Sequence, residues 1–178
     1  MLLLSDPVDS FWVTSANFEG KPFKSVTQGA ADLVLIPVLD DKNKLSPEVD
    51  EAVTNFLAFM KDTLGDAISD VRASDRLTDS AVCLVAPELG PDRQLEKLLA
   101  GAGRLKSATK PILEINPRHD IIVALASMGD DDQAFKQDAA HLLLDEARVL
   151  DGDRPADGRL FSDRLARVLT RSIGKSAG

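Results

Sequence analysis

Ile112-Leu113-Glu114-Ile115-Asn116-Pro117-Arg118-His119 is the stretch on which the fold turns. A short run of mostly apolar residues ends at an Asn-Pro pair, which reads as a strand followed directly by a helix start. Asn116 is then expected to cap a helix with Pro117 as its first residue, since proline lacks the N–H that a first helical turn leaves unpaired. Ile121, Ile122, Leu125 and Met128 supply the apolar side of that helix, and Gly129 stops it. Upstream, residues 68–73 and 81–86 read as two more strands joined by Asp75-Arg76-Leu77-Thr78-Asp79, and residues 91–102 as a helix.

Farther upstream, Ser46 caps a helix that opens on Pro47, in which Val49, Val53, Phe56, Leu57, Met60 and Leu64 recur at steps of three and four before Gly65 closes it. Residues 37–47 are polar and rich in turn formers, which marks a boundary between two subunits of structure. Ahead of that boundary, Asp6-Pro7 starts a short helix with Val8, Phe11, Trp12 and Ser15 on one side. Glu19-Gly20-Lys21 turns the chain, and residues 23–27 alternate like a half-exposed strand. Leu2-Leu3-Leu4 opens the chain like a strand cut from something longer.

Downstream come two long amphipathic helices. The first carries Phe135, Ala139, Leu142, Leu143, Ala147 and Leu150, the second Phe161, Leu165, Val168, Leu169 and Ile173, with Asp151-Gly152-Asp153-Arg154-Pro155 between them. The order helix, strands, helix, strand, helices predicts an α+β fold: a small three-stranded sheet covered by helices, with a helical hairpin projecting from one end. No internal repeat is visible.

Composition limits the function. At 178 residues and 44% hydrophobic, the chain can bury one sizeable core or two small ones. A net charge of −8 and a pI near 4.7 repel a polyanion, so nucleic acid is not an expected partner. No stretch reaches the roughly 18 apolar residues of a bilayer-spanning helix, and Ser5, Asp6 and Asp9 spoil any resemblance of the first residues to a secretory leader. The single cysteine, Cys83, lies within an apolar run and reads as a buried, inert thiol in a reducing cytoplasm.

Signatures of chemistry are sparse. There is no Gly-rich phosphate loop, no His-Glu-x-x-His, no Gly-x-Ser-x-Gly and no cysteine pair at zinc spacing. His119 and His141 are the only imidazoles and fall on different helices, where surface or capping roles outweigh catalytic ones. Asp130-Asp131-Asp132 sits at a helix start, where carboxylates favour exposed backbone N–H groups, and Asp130 with Gln133 has the spacing of a capping box. No metal site is expected. A catalytic alternative, a small hydrolase or transferase, would have to use Asp75, Asp79 and His119 as its acid–base group.

Apolar surface is more informative. The last helix places Phe161, Leu165, Val168, Leu169 and Ile173 on one face. Periodicity alone leaves two readings open, packing on the chain's own core or pairing with the same hairpin of a second copy. Leu95, Leu98 and Leu99 form a shorter stripe flanked by Gly101 and Gly103, and Phe11 with Trp12 serve either as core anchors or as exposed contacts.

Set side by side, these segments resemble the end of the heat-shock protein 90 chaperones, in their bacterial branch. Residues 2–11, Leu-Leu-Leu-Ser-Asp-Pro-Val-Asp-Ser-Phe, are similar to the strand-to-helix entry late in that family's middle domain, and residues 20–26 to the stretch after it. Residues 76–85, Arg-Leu-Thr-Asp-Ser-Ala-Val-Cys-Leu-Val, and residues 112–119 resemble two motifs of its C-terminal domain, in the same order. The resemblance implies an end of the middle domain over 1–36, a linker over 37–46 and a C-terminal dimerisation domain over 47–178. It implies a homodimer built as a four-helix bundle from the last two helices of each copy, with Phe135, Leu142, Leu143, Phe161, Leu165, Val168 and Leu169 at the interface. It also implies contact with unfolded or partly folded client proteins through Phe11, Trp12, Leu95, Leu98 and Leu99. ATP and Mg belong to other domains of the full-length family, so no cofactor and no catalysis are expected here.

Two features depart from the family pattern. The Met-rich character often found on the contact helix is replaced by Leu95, Leu98 and Leu99, and residues 172–178 lack the acidic Met-Glu-Glu-Val-Asp tail of cytosolic eukaryotic members, so co-chaperones reading that tail are not expected. The competing readings are the small α+β hydrolase or transferase and a generic protein-binding adaptor.

Overall fold

Eighteen consecutive residues, Pro47–Leu64, form the longest helix of the first half because their apolar positions return to one side every three or four steps. The computed structural model describes residues 9–13, 15–23, 46–87, 93–102, 109–129 and 132–175. They fall into two compact units, one of residues 1–36 with 85–111 and one of residues 37–84 with 112–178. Residues 85–111 group with the N-terminal residues.

In the first unit, α1 (Asp9–Trp12) is followed by strands β1 (Asn17–Phe18) and β2 (Lys21–Pro22), which pair antiparallel with Phe18 opposite Lys21. Glu19 and Gly20 turn between them with φ of 51° and 77°, the two positive values that a right-twisted two-residue hairpin demands. Helix α3 (Arg93–Gly101) lies against α1. The Trp12 and Phe23 rings meet at 5.7 Å, tilted by 54°. Expected features at residues 1–8, at 24–27 and at Pro91 and Asp92 lie outside the described residues.

The second unit is built on a sheet ordered β3 (Asp70–Ala73), β5 (Ile112–Ile115), β4 (Val82–Val85), with β5 in the middle. β3 and β5 run parallel in the register Asp70 to Ile112 through Ala73 to Ile115. Leu113 and Ile115 are fully buried. Val53, Phe56, Met60 and Leu64 of α2 (Pro47–Leu64) enter the same core, together with Ile122 and Leu125 of α4 (Asp120–Ala126). Ala139, Ala140, Leu143, Leu144 and Ala147 of α5 (Gln133–Leu150) complete it. Last comes α6 (Gly158–Lys175), which packs along α5. The α+β class and the three-stranded sheet are as expected.

Several local expectations fail. Asn116 does not cap α4. It is buried, its amide donates to the Thr78 carbonyl at 3.2 Å and its side-chain oxygen accepts from the Arg118 N–H at 3.1 Å, so it closes a turn instead. The cap moves three residues on to His119, whose Nδ1 accepts from the Ile121 N–H at 3.2 Å. Ile121, expected on the apolar side, is consequently exposed. Asp132 makes no capping hydrogen bond because its carboxylate pairs with Arg171 of α6, and Asp130 lies outside the described residues. The N-terminus of α6 has a cap that sequence reading missed: Asp157 accepts from the Arg159 and Leu160 N–H groups at 2.9 and 3.0 Å.

Candidate functional surfaces

Along α6, Phe161, Arg164, Val168 and Arg171 are half-buried, while several large apolar residues face outward. Leu165, Leu169 and Ile173 recur every four residues, which aligns them down the helix, and they are 38%, 52% and 72% exposed. On α5, Phe135 and Leu142 are half-buried, with Phe135 packed beside the core, while Val149 and Leu150 are exposed at its end. Leu143 is placed differently from the other expected interface residues: at 3% exposure it belongs to this chain's own core and presents nothing outward.

Ion pairs fix how the two helices run. Asp138 of α5 receives both forks of Arg167 at 2.6 Å and has Arg164 at 3.8 Å, while Asp132, six residues earlier, pairs with Arg171. Increasing numbers on α6 meet decreasing numbers on α5, so the hairpin is antiparallel. Hydrogen bonds from Arg167 hold the Asp138 carboxyl below its ordinary range. Partial burial lowers the pKa of the His141 imidazole, helped by Arg164 and opposed by Asp145 and Asp138.

The first unit brings together the two segments that sequence reading marked as contact sites. α1 and α3 are neighbours, Trp12 is 47% and Leu98 37% exposed, and Leu95 and Leu99 are half-buried. Phe11 lies within α1. Phe18, at the hairpin, is more exposed than Trp12 or Leu98 and was not singled out from the sequence. Its signal was the Glu-Gly turn, which pushes the preceding residue into solvent. Within α3 itself, Glu96 is buried and accepts from Arg93 at 3.3 Å and from the Thr109 N–H.

One chemistry-bearing cluster escaped the sequence altogether. Glu114 of β5 is buried and accepts from Arg72 Nε at 3.0 Å and Nη2 at 2.6 Å, from Ser74 Oγ at 3.0 Å and from Arg76 Nε at 2.7 Å. Cys83 stands beside it, 3.8 Å from both the Glu114 carboxylate and the Arg76 guanidinium. The thiol is only partly buried, contrary to expectation, but desolvation still pushes its pKa up. A thiol held protonated is a poor nucleophile. His119 is engaged as a helix cap, and Asp79 accepts from the neighbouring Thr78 hydroxyl at 3.0 Å. Of the three groups of the catalytic alternative, His119 and Asp79 thus have local structural tasks, and Asp75 is exposed.

Among the described residues, no group of three or more His, Cys, Asp or Glu side chains is arranged to hold a metal ion. No helix among them is long and apolar enough to cross a membrane.

These features define an α+β protein that ends in an antiparallel helical hairpin with an uncovered apolar stripe. The profile of the family described as Hsp90 protein matches residues 1–177. "Chaperone protein HtpG" of Mesorhizobium japonicum is 68% identical over 176 residues, covering 98% of this chain. The protein of the same name from Nitrobacter winogradskyi is 65% identical over 178 residues, and that from Rhizobium meliloti 63% over 174. The chain belongs to the heat-shock protein 90 family. It spans 28% of the length of each of these three relatives.

Proposed function

We propose that this chain is the end of the middle domain (1–36), a linker (37–46) and the C-terminal dimerisation and client-contact region (47–178) of an ATP-dependent, cytoplasmic chaperone that assists protein folding. The observation that carries this reading is the outward stripe Leu165, Leu169 and Ile173 on the last helix. Fully covering such a side chain contributes roughly 1.5–3 kcal/mol. A second copy of the same hairpin is the partner that a two-fold, self-complementary contact requires. Phe135, Leu142, Phe161 and Val168 flank the stripe on the two hairpin helices, and Leu143 supports it from the core.

In this reading ATP and Mg act in a domain outside the chain. The hairpin holds two protomers together and raises the effective concentration of their remaining domains for each other. The contact surface for unfolded or partly folded proteins is assigned to α1 with α3, where Trp12 and Leu98 present apolar area, and Phe11, Leu95 and Leu99 belong to the same assignment.

Sedimentation velocity of Leu165→Asp tests the interface. The variant is expected to sediment as a monomer at micromolar concentration, and a persisting dimer refutes the placement. Trp12→Ala with Leu98→Ser should reduce suppression of aggregation of a heat-denatured reporter protein while leaving the mass unchanged. Ester or ATP turnover by the chain that His119→Ala abolishes would favour the hydrolase reading instead.

A further inference from the structure

The side of α6 that meets α5 mixes apolar and ionic residues: Phe161 and Val168 are half-buried there together with Arg164 and Arg171. Arg164, Arg167 and Arg171 recur at steps of three and four, so they line one side of the helix. Asp138 takes both forks of Arg167, at 2.6 Å each, and has Arg164 at 3.8 Å. Arg171 pairs with Asp132, and its guanidinium lies 4.6 Å from the centre of the Phe135 ring. A terminal helix settling on a core would ordinarily turn its strongest apolar stripe inward. Here only Phe161 and Val168 among its apolar residues are half-buried, Leu165, Leu169 and Ile173 lie outward, and Arg167 and Arg171 reach carboxylates of the hairpin partner.

We propose that this arginine–aspartate clasp is an orientation lock: it fixes the roll of α6 about its own axis and holds the Leu165, Leu169 and Ile173 stripe outward for a second copy of the chain. The proposal rests on the dimer reading above and adds what positions that interface. A forked guanidinium on a carboxylate constrains angle as well as distance, which a simple apolar contact does not. Asp138 is the pivot because it serves two arginines one turn apart. Without the clasp, α6 rolls and shields its own stripe against α5, so the folded monomer competes with the dimer. Individual exposed pairs contribute little, but the lock has only to choose between two rolls of a helix that stays formed.

The test is the dimer Kd of the 178-residue chain by sedimentation equilibrium, with helix content followed by far-UV circular dichroism. Asp132→Asn combined with Asp138→Asn should retain its helix content and dimerise on the order of tenfold more weakly, the equivalent of two or three modest ion pairs. Exchanging the charges, Asp138→Arg with Arg164→Asp and Arg167→Asp, should recover most of that loss, which a general packing lesion would not allow. If the double variant loses helix content, Arg167→Gln alone carries the same test with an expected loss of roughly threefold. Wild-type affinity in the neutralised variants, or no recovery in a folded exchange variant, overturns the lock. A wild-type chain that is monomeric throughout removes the dimer reading itself, a different result.

Discussion

Glu114 shows what a single residue can hide from its sequence. Inside Ile-Leu-Glu-Ile it looks like the outward-facing polar position of a strand, yet it is buried and gathers Arg72, Ser74 and Arg76. Those partners lie 38 to 42 residues away and become neighbours only through the parallel register that sets Arg72 opposite Glu114. No local spacing announces that register. Glu114→Gln keeps the shape but leaves two guanidinium groups facing a neutral amide. Breaking a buried ion pair costs about 3–5 kcal/mol, and because both arginines keep some water contact, a loss of about 3 kcal/mol is expected. Urea denaturation measures it as a lower midpoint at unchanged slope, and a shift under about 0.5 kcal/mol would contradict the cluster's role. Beside it, Cys83 should alkylate more slowly at pH 8 than a free cysteine, since burial keeps it protonated; a rate at or above that of the free thiol would contradict this.

At the scale of the element, helices were far more legible than their ends. The three-and-four spacing of Val53, Phe56, Met60 and Leu64 named the buried side of α2 because a 3.6-residue period admits only one such stripe. Caps were misread because Asn, Asp and Ser can bond in several local ways, and tertiary contacts choose among them. Asn116 went to a turn, Asp132 to an arginine, and Ser46 occupies its cap position without a side-chain hydrogen bond. Asp157→Ala removes the true cap of α6 and should cost about 1 kcal/mol, read as a lower thermal midpoint.

The hairpin also carries a pH signature. Partial burial, helped by Arg164 and Arg148 against Asp145 and Asp138, holds His141 below its ordinary value of 6.5, so the unfolded chain binds its proton more readily than the folded one. Its contribution to stability is therefore full above that ordinary value and is lost as pH falls through it toward the lower folded value. Asp138 acts in the same direction at more acid pH: its stabilisation is present above its ordinary 3.8 and lost as pH falls through the depressed folded value. Denaturation midpoints should decline as pH drops below about 6.5, and His141→Gln should flatten the decline in that upper window but not the one near 3.8. An unchanged upper slope in the variant would assign the effect elsewhere.

For the molecule as a whole, the sequence pattern gave the α+β class, the three strands and the closing hairpin, because each rests on local periodicity. It did not give the grouping of 85–111 with residues 1–36, which depends on contacts between segments distant in sequence. Residues 1–36 and 85–111 contain as many acidic as basic side chains, so the net charge of −8 belongs to the other unit. On the proposed reading of Trp12 and Leu98 as contact residues, Leu98→Asp should weaken binding of an unfolded protein whatever its net charge. The two faces expected to meet partners differ in visibility for a physical reason. Outward and inward stripes look identical in sequence, and only the arginine side of α6, tied to Asp132 and Asp138, distinguishes them.

The central claim is that the last hairpin is completed by a second copy of itself. Sedimentation equilibrium of the wild-type chain over nanomolar to tens of micromolar concentration tests it most directly. The account predicts a mass rising from 19.2 kDa to a plateau at twice that value. A mass fixed at 19.2 kDa across the whole range would contradict it.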